Sequence, residues 1–170
     1  MVLPAPNQLE RTALSLVLAG TRRTASRDSP TGPRRSGPDL HNRRSNVILG
    51  LFGLAGVHVM DLPAKWEETF YIAIAYIAVI VFSDVIVERL TVKGSAIDYL
   101  GAAGASAAVL LGYVVNRTTG MPGAMDDIGN WFEPLGLLSL AVEIFTLWHS
   151  LFALRTIMQI RKLKAFEVTS

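Results

Sequence analysis

Four long apolar stretches, residues 47–62, 70–87, 97–115 and 135–154, constrain this chain more than any other feature of it. Short polar segments separate them. A hydrocarbon core of ~30 Å is crossed by about 20 consecutive apolar residues in a helix. Inside lipid every backbone N–H and C=O must be satisfied within the protein, which leaves helices as the reading for stretches of this length. The first stretch is the shortest. Its 16 residues reach only ~24 Å at ~1.5 Å per residue, so it crosses with local thinning or else lies re-entrant or interfacial. The pattern predicts an all-α polytopic membrane protein, a four-transmembrane-helix bundle with a disordered basic N-terminal tail. The tail is residues 1–45. The transmembrane domain is 46–155, with helices at about 47–62, 69–89, 97–115 and 134–155, and 156–170 form a basic C-terminal extension.

The chain contains no cysteine, which removes disulfides, thiolate metal ligands and cysteine nucleophiles. The tail holds eight arginines against Glu10, Asp28 and Asp39, together with five prolines. Arg22–Arg23 are followed by polar residues where a twin-arginine signal needs an apolar run. The tail reads as a solvated segment that helps fix orientation, or as an electrostatic arm for anionic lipid headgroups. No aromatic residue interleaves these arginines to stack on bases, and nucleic acid is not an expected partner.

Charge sets the orientation. With the tail in the cytoplasm, Arg89, Lys93, Arg155, Arg161, Lys162 and Lys164 join its arginines there, and only Lys65 and Arg117 lie outside. Asp61, Glu67, Glu68, Asp126, Asp127 and Glu133 occupy the outer side. The positive-inside asymmetry predicts an integral membrane protein with both termini cytoplasmic.

Packing between membrane helices rests on close approach and interhelical hydrogen bonds. Asp98, Gly101, Ala105, Ala108 and Gly112 fall on one face of the third helix, widened by Gly104, and Gly50, Gly53 and Gly56 allow close approach by the first. Ser139, Glu143, Thr146 and Ser150 form a polar stripe on the fourth helix that should face the interior. A homodimer through the third helix is the rival use of its small face.

Ionisable groups inside the spans cost ~2.5 kcal/mol or more near the bilayer centre unless partnered. Asp84, Asp98 and His149 are expected at one depth on the cytoplasmic side, with Glu143 near mid-membrane. One reading is a proton relay or ion site; the other is structural, with Glu143 neutral and Asp84 paired to Arg89 or His149. On the outer face His58, Glu67, Glu68, Arg117, Asp126, Asp127 and Glu133 form a candidate ligand site. One imidazole with carboxylates suits a divalent metal, although no diagnostic metal-binding spacing is present and no cofactor is otherwise expected. The structural alternative has Arg117 bridging Glu133 and a carboxylate of the second helix.

These residues carry a resemblance. Gly56-Val57-His58, the run Trp66-Glu67-Glu68-Thr69-Phe70-Tyr71-Ile72, the run Arg117-Thr118-Thr119-Gly120-Met121-Pro122-Gly123, then Glu133-Pro134-Leu135-Gly136 and Glu143 resemble a family of small four-helix integral membrane proteins of actinobacteria. The likeness covers about residues 47–150 and implies the bundle; it brings no established activity. The segment 126–130 makes the third loop longer than that family's pattern. No nucleophile triad, phosphate-cradling glycine loop or cofactor fingerprint is visible, so catalysis is the weakest expectation. A scaffold or accessory subunit with a membrane-protein partner leads, ahead of a proton- or ion-coupled transport component using Glu143 and Asp84, and of metal or small-ligand binding at the outer face.

Overall fold

This computed structural model describes residues 36–169. They form α1 (Ser36–Glu68), α2 (Phe70–Val92), α3 (Ala96–Thr118) and α4 (Pro134–Thr169), with a 3-10 turn at Met125–Asp127 between the last two. Each of the four is long and apolar enough to cross a membrane. The helices alternate in direction around a four-cornered bundle, in which α1 packs closely on α2 and α4, α4 packs closely on α3, and α2 and α3 are the most loosely packed of the neighbouring pairs. The α1–α2 turn and the 119–133 loop share one end, called here the acidic end for Asp61, Glu67, Glu68, Asp126, Asp127 and Glu133. The α2–α3 turn and the outer ends of α1 and α4 share the other, the basic end.

Two helices outrun their apolar stretches. α1 begins at Ser36, inside the segment expected to be disordered, and α4 continues through the C-terminal extension. Interhelical contacts explain the first extension. Arg43 stacks on the Phe152 ring at 5.0 Å and Arg44 donates to the Thr91 carbonyl. The second keeps Leu154 and Ile157 against the core and then runs on through strong helix formers such as Met, Arg, Lys and Gln. The disorder expected of residues 1–35 lies outside the described residues.

The hydrophobic core sits in the basic half: Val47 and Leu51 from α1, Ile86 and Leu90 from α2, Tyr99 and Ala102 from α3, Ala153 from α4. Many large apolar residues face outward instead, among them Leu49, Phe52, Val81, Leu111 and Trp148. Polar side chains such as Asp98, Glu143 and Thr146 are buried beside that core while large apolar residues cover the outside, a pattern that lipid rewards, because helices there associate through packing and hydrogen bonds.

Not every expected glycine contact forms. A methyl group at Gly50 would collide with the Thr146 hydroxyl, and one at Gly53 would meet Val142 at 3.0 Å, so the α1 backbone does approach close against α4 side chains. At Gly56 and Gly104 it would meet nothing within 4 Å, because both positions face outward. The α3 stripe divides. Gly101 packs against Ile86 and Phe82 of α2, while the space beside Gly112 is open.

Candidate ligand site at the acidic end

That open space is part of a cavity of about 390 Å³ in the acidic half of the bundle. All four helices contribute walls: Val57 and His58 from α1, Ile72, Ala75, Tyr76 and Val79 from α2, Ala108, Val109 and Gly112 from α3, and Leu135 and Ser139 from α4. Ala75 of α2 and Ala108 and Gly112 of α3 are small, and the gap between these helices is not filled there. The 119–133 loop spans it. Thr69, buried at the α1–α2 turn, donates from its hydroxyl to the Gly123 carbonyl at 3.1 Å. Tyr71 donates to the Pro122 carbonyl at 2.8 Å. The loop is thus tied to the start of α2 as well as to its own parent helix α3, and Met121 lines the cavity beneath it.

The rim is a charge network centred on Arg117, which is 5 % exposed. Its guanidinium donates to Asp127 Oδ1 at 2.7 Å and to Glu133. A second donation reaches the Asp127 backbone carbonyl at 3.2 Å. Asn116 donates to Asp127 Oδ2 at 2.8 Å, and the Lys65 ammonium lies 3.6 Å from the same oxygen and 2.8 Å from Glu68. Burial pushes the Asp127 carboxyl upward, but the Asn116 hydrogen bond, the charges of Lys65 and Arg117 and the Arg117 hydrogen bond outweigh it. The group is held below the usual aspartate range. Arg117 therefore does bridge Glu133 to a second carboxylate, and that carboxylate is Asp127 of the loop rather than one from α2.

Inside the rim lies a second group of polar side chains on one face of α1. His58, 4 % exposed, bonds through Nδ1 to the Leu54 carbonyl at 2.8 Å. A carbonyl only accepts, so Nδ1 carries a proton, and in the neutral ring Nε2 keeps its lone pair. The Tyr76 ring stands edge-on to the imidazole at 4.6 Å, and its hydroxyl donates to Asp61 at 3.0 Å. Ser139, on the inner wall, donates at 2.5 Å to Glu143 one turn deeper. Glu143 is wholly buried, and its other oxygen has no hydrogen-bond partner among the described residues.

Of the expected outer-face residues, the fold brings Arg117, Asp127 and Glu133 together and places His58 in the same cavity. Glu67, Glu68 and Asp126 are exposed and do not line it. Among the described residues no group of three or more His, Asp or Glu converges to hold a metal ion. Asp61, Lys65, Tyr76, Asn116 and Ser139 were not among the candidates. The signal for two of them was present, since His58, Asp61 and Lys65 share a face at spacings of three and four.

The grouping expected at the other end does not form. Asp98, 0 % exposed, accepts from Arg89 Nε at 2.6 Å and from the Ser95 backbone N–H and hydroxyl at 2.8 and 2.6 Å, which caps α3. His149 packs on Phe145 at 4.5 Å and lines a small cleft with Asn42, Arg43 and Asn46. Asp84 is exposed and has no hydrogen bond or ion pair among the described residues. Ser83 and Ile86 point into the bundle, and a rotation of about 100° per residue, from 3.6 residues per turn, carries Asp84 to the flank.

Comparison with protein-family models, curated proteins and solved structures finds no match. Any functional reading therefore rests on the geometry of this chain.

Proposed function

We propose that this chain is an integral membrane protein that takes a small amphiphilic molecule into the cavity at its acidic end, with that end on the outer face of a bacterial plasma membrane and both termini in the cytoplasm. The observation that carries this reading is the cavity itself. Its volume falls within the ~300–1,000 Å³ of small-molecule sites, and such sites combine apolar walls with a few placed polar groups, as here. The charge asymmetry between the two ends supports the orientation, and the loose α2–α3 contact supplies a side entrance from lipid.

The experiment is to purify the native chain and Gly112→Phe side by side, extract each with solvent and identify the released small molecules by mass spectrometry. A methyl group at Gly112 meets nothing within 4 Å, so the larger side chain starts into open space and takes up cavity volume that a ligand would need. The expected result is a species retained by the native chain and lost from the variant. Identical extracts would overturn the reading.

An accessory-subunit role rests on a different observation, the exposed Asp84 in an apolar span, which costs ~2.5–3.5 kcal/mol at a helix centre without a partner. The same purifications read it through a polypeptide that accompanies the native chain and is absent with Asp84→Leu. An unchanged polypeptide content would count against that role.

A further inference from the structure

We propose that the ligand of this cavity is an organic cation with an apolar body, a protonated amine or a quaternary ammonium, seated with its charge at Asp61. The inference rests on the cavity being a binding site and adds the chemistry of what it binds.

Charge pairing inside the cavity carries the argument. Both cations on the lining are already engaged: Arg117 by Asp127 and Glu133, Lys65 by Glu68 and Asp127. Asp61 is the lining carboxylate left without an ion pair among the described residues. Lys65 stands one turn along the same face of α1, yet its ammonium is turned to Glu68 and Asp127. The partner Asp61 does have is neutral, the Tyr76 hydroxyl. Asp61 is half-buried beside the apolar walls, where a carboxylate gains from a charge partner, and a cation entering the cavity supplies the pair.

The neighbouring groups select the same sign. His58 offers an acceptor at Nε2, because its Nδ1 proton is committed to Leu54. Glu143 lies behind Ser139 with one oxygen unpartnered. Tyr71, Tyr76 and Tyr113 line the cavity, and aromatic faces attract cations; Arg117 already lies over the Tyr113 ring at 5.2 Å. An anion would find both positive groups occupied and the free ones repulsive. The apolar walls formed by Ile72, Val79, Val109 and Leu135 accept the body of the molecule.

The test measures binding of two probes to the full chain in an uncharged detergent: tetraphenylphosphonium as the apolar cation and N-phenyl-1-naphthylamine as the uncharged apolar probe. Asp61→Asn keeps an acceptor for Tyr76 and removes the charge. It is expected to weaken the cation by about tenfold or more, as loss of a charge pair of ~1.4 kcal/mol or more implies, and to leave the uncharged probe unchanged. Lys65→Met removes the competing ammonium and is expected to strengthen the cation, a gain that misfolding cannot imitate. Gly112→Phe is expected to lose both probes.

Unchanged cation affinity in both Asp61→Asn and Lys65→Met would overturn the proposal while the loss of both probes in Gly112→Phe upheld the cavity. If neither probe bound the native chain, the cavity reading and the proposal would fall together. Displacement of the bound cation by phosphatidylethanolamine identifies a lipid headgroup as its source, and displacement by octylamine alone identifies a free amine; each supports the cationic assignment.

Discussion

At the basic end α2 and α3 meet through Gly101 against Ile86, and Arg89 closes the contact on Asp98. At the acidic end the same two helices stand apart, with Ala75 and Val79 facing Ala108 and Gly112 across a cavity. Small residues thus serve opposite ends within one helix pair. Opposite a large side chain a glycine closes the interface; opposite another small residue, beneath a tethered loop, it leaves a recess. The polar groups follow the same division. Asp98 is sealed by three donors from its own turn and α2, whereas the acidic end distributes three carboxylates around two cations and leaves Asp61 over.

Removing the central cation from each end should separate them most. Arg117→Ala leaves Asp127 and Glu133 facing each other at a site where the guanidinium is nearly buried. Breaking a buried pair costs ~3–5 kcal/mol. The lower end, about 3 kcal/mol, is expected here, because the Glu133 side chain is 34 % exposed. Arg89→Ala should cost about 1 kcal/mol, since Arg89 is 44 % exposed and solvent-screened, and Asp98 retains both Ser95 donors. Thermal unfolding in detergent measures the pair. Equal losses would mean that the acidic-end network is no more buried in solution than the basic one.

A methyl group placed in each half tests the packing contrast. Gly50→Ala drives its Cβ into the Thr146 hydroxyl, and Thr146 is held by its own bond to the Val142 carbonyl at 2.7 Å. Overpacking costs ~1–3 kcal/mol, partly offset by the ~1 kcal/mol helix-propensity gain of alanine, so a net loss of about 1 kcal/mol is expected. Gly112→Ala meets nothing and should be neutral or stabilising. A destabilised Gly112→Ala would show that the recess is closed in the membrane.

The architecture was legible because lipid makes hydrophobic length and the demand for internal hydrogen bonds the dominant constraints. Four helices long and apolar enough to cross a membrane, the inward stripe of Ser139, Glu143, Thr146 and Ser150, and the close approach at Gly50 and Gly53 all follow from residue spacing. What spacing leaves open is rotation and splay. Asp84 lies one residue from the buried Ser83, and nothing local says which of the two faces in. The width of the α2–α3 gap depends on a loop tied by Thr69 and Tyr71 to Gly123 and Pro122, bonds spanning more than fifty residues. His58 stood out in the sequence as a candidate and it does line the cavity, whereas Asp61 drew notice only when Lys65 and Arg117 proved to be engaged elsewhere. The extension of α1 to Ser36 was hidden because polar helix held by two arginine contacts carries no apolar period.

The smallest effect concerns acid. Asp127 joins the loop to Asn116 and Arg117, and its carboxyl is held below the ordinary value of 3.8 in the folded chain. The folded state therefore binds its proton less readily than the unfolded one. The stabilisation is fully present above the unfolded pKa and is lost as pH falls through the lower folded pKa. Loosening of the 119–133 loop is thus expected only below about pH 3.8, where protonation removes the acceptor shared by α3 and the loop. Hydrogen exchange at Ile128–Asn130, whose amides include Gly129 bonded to the Arg117 carbonyl at 2.9 Å, reads that loosening directly. Asp127→Asn should show the faster exchange already at neutral pH and lose its acid dependence. If the variant instead kept the native profile, the loop would be held by its backbone bonds, and the charge network would be a rim on the cavity rather than the strut that keeps it open.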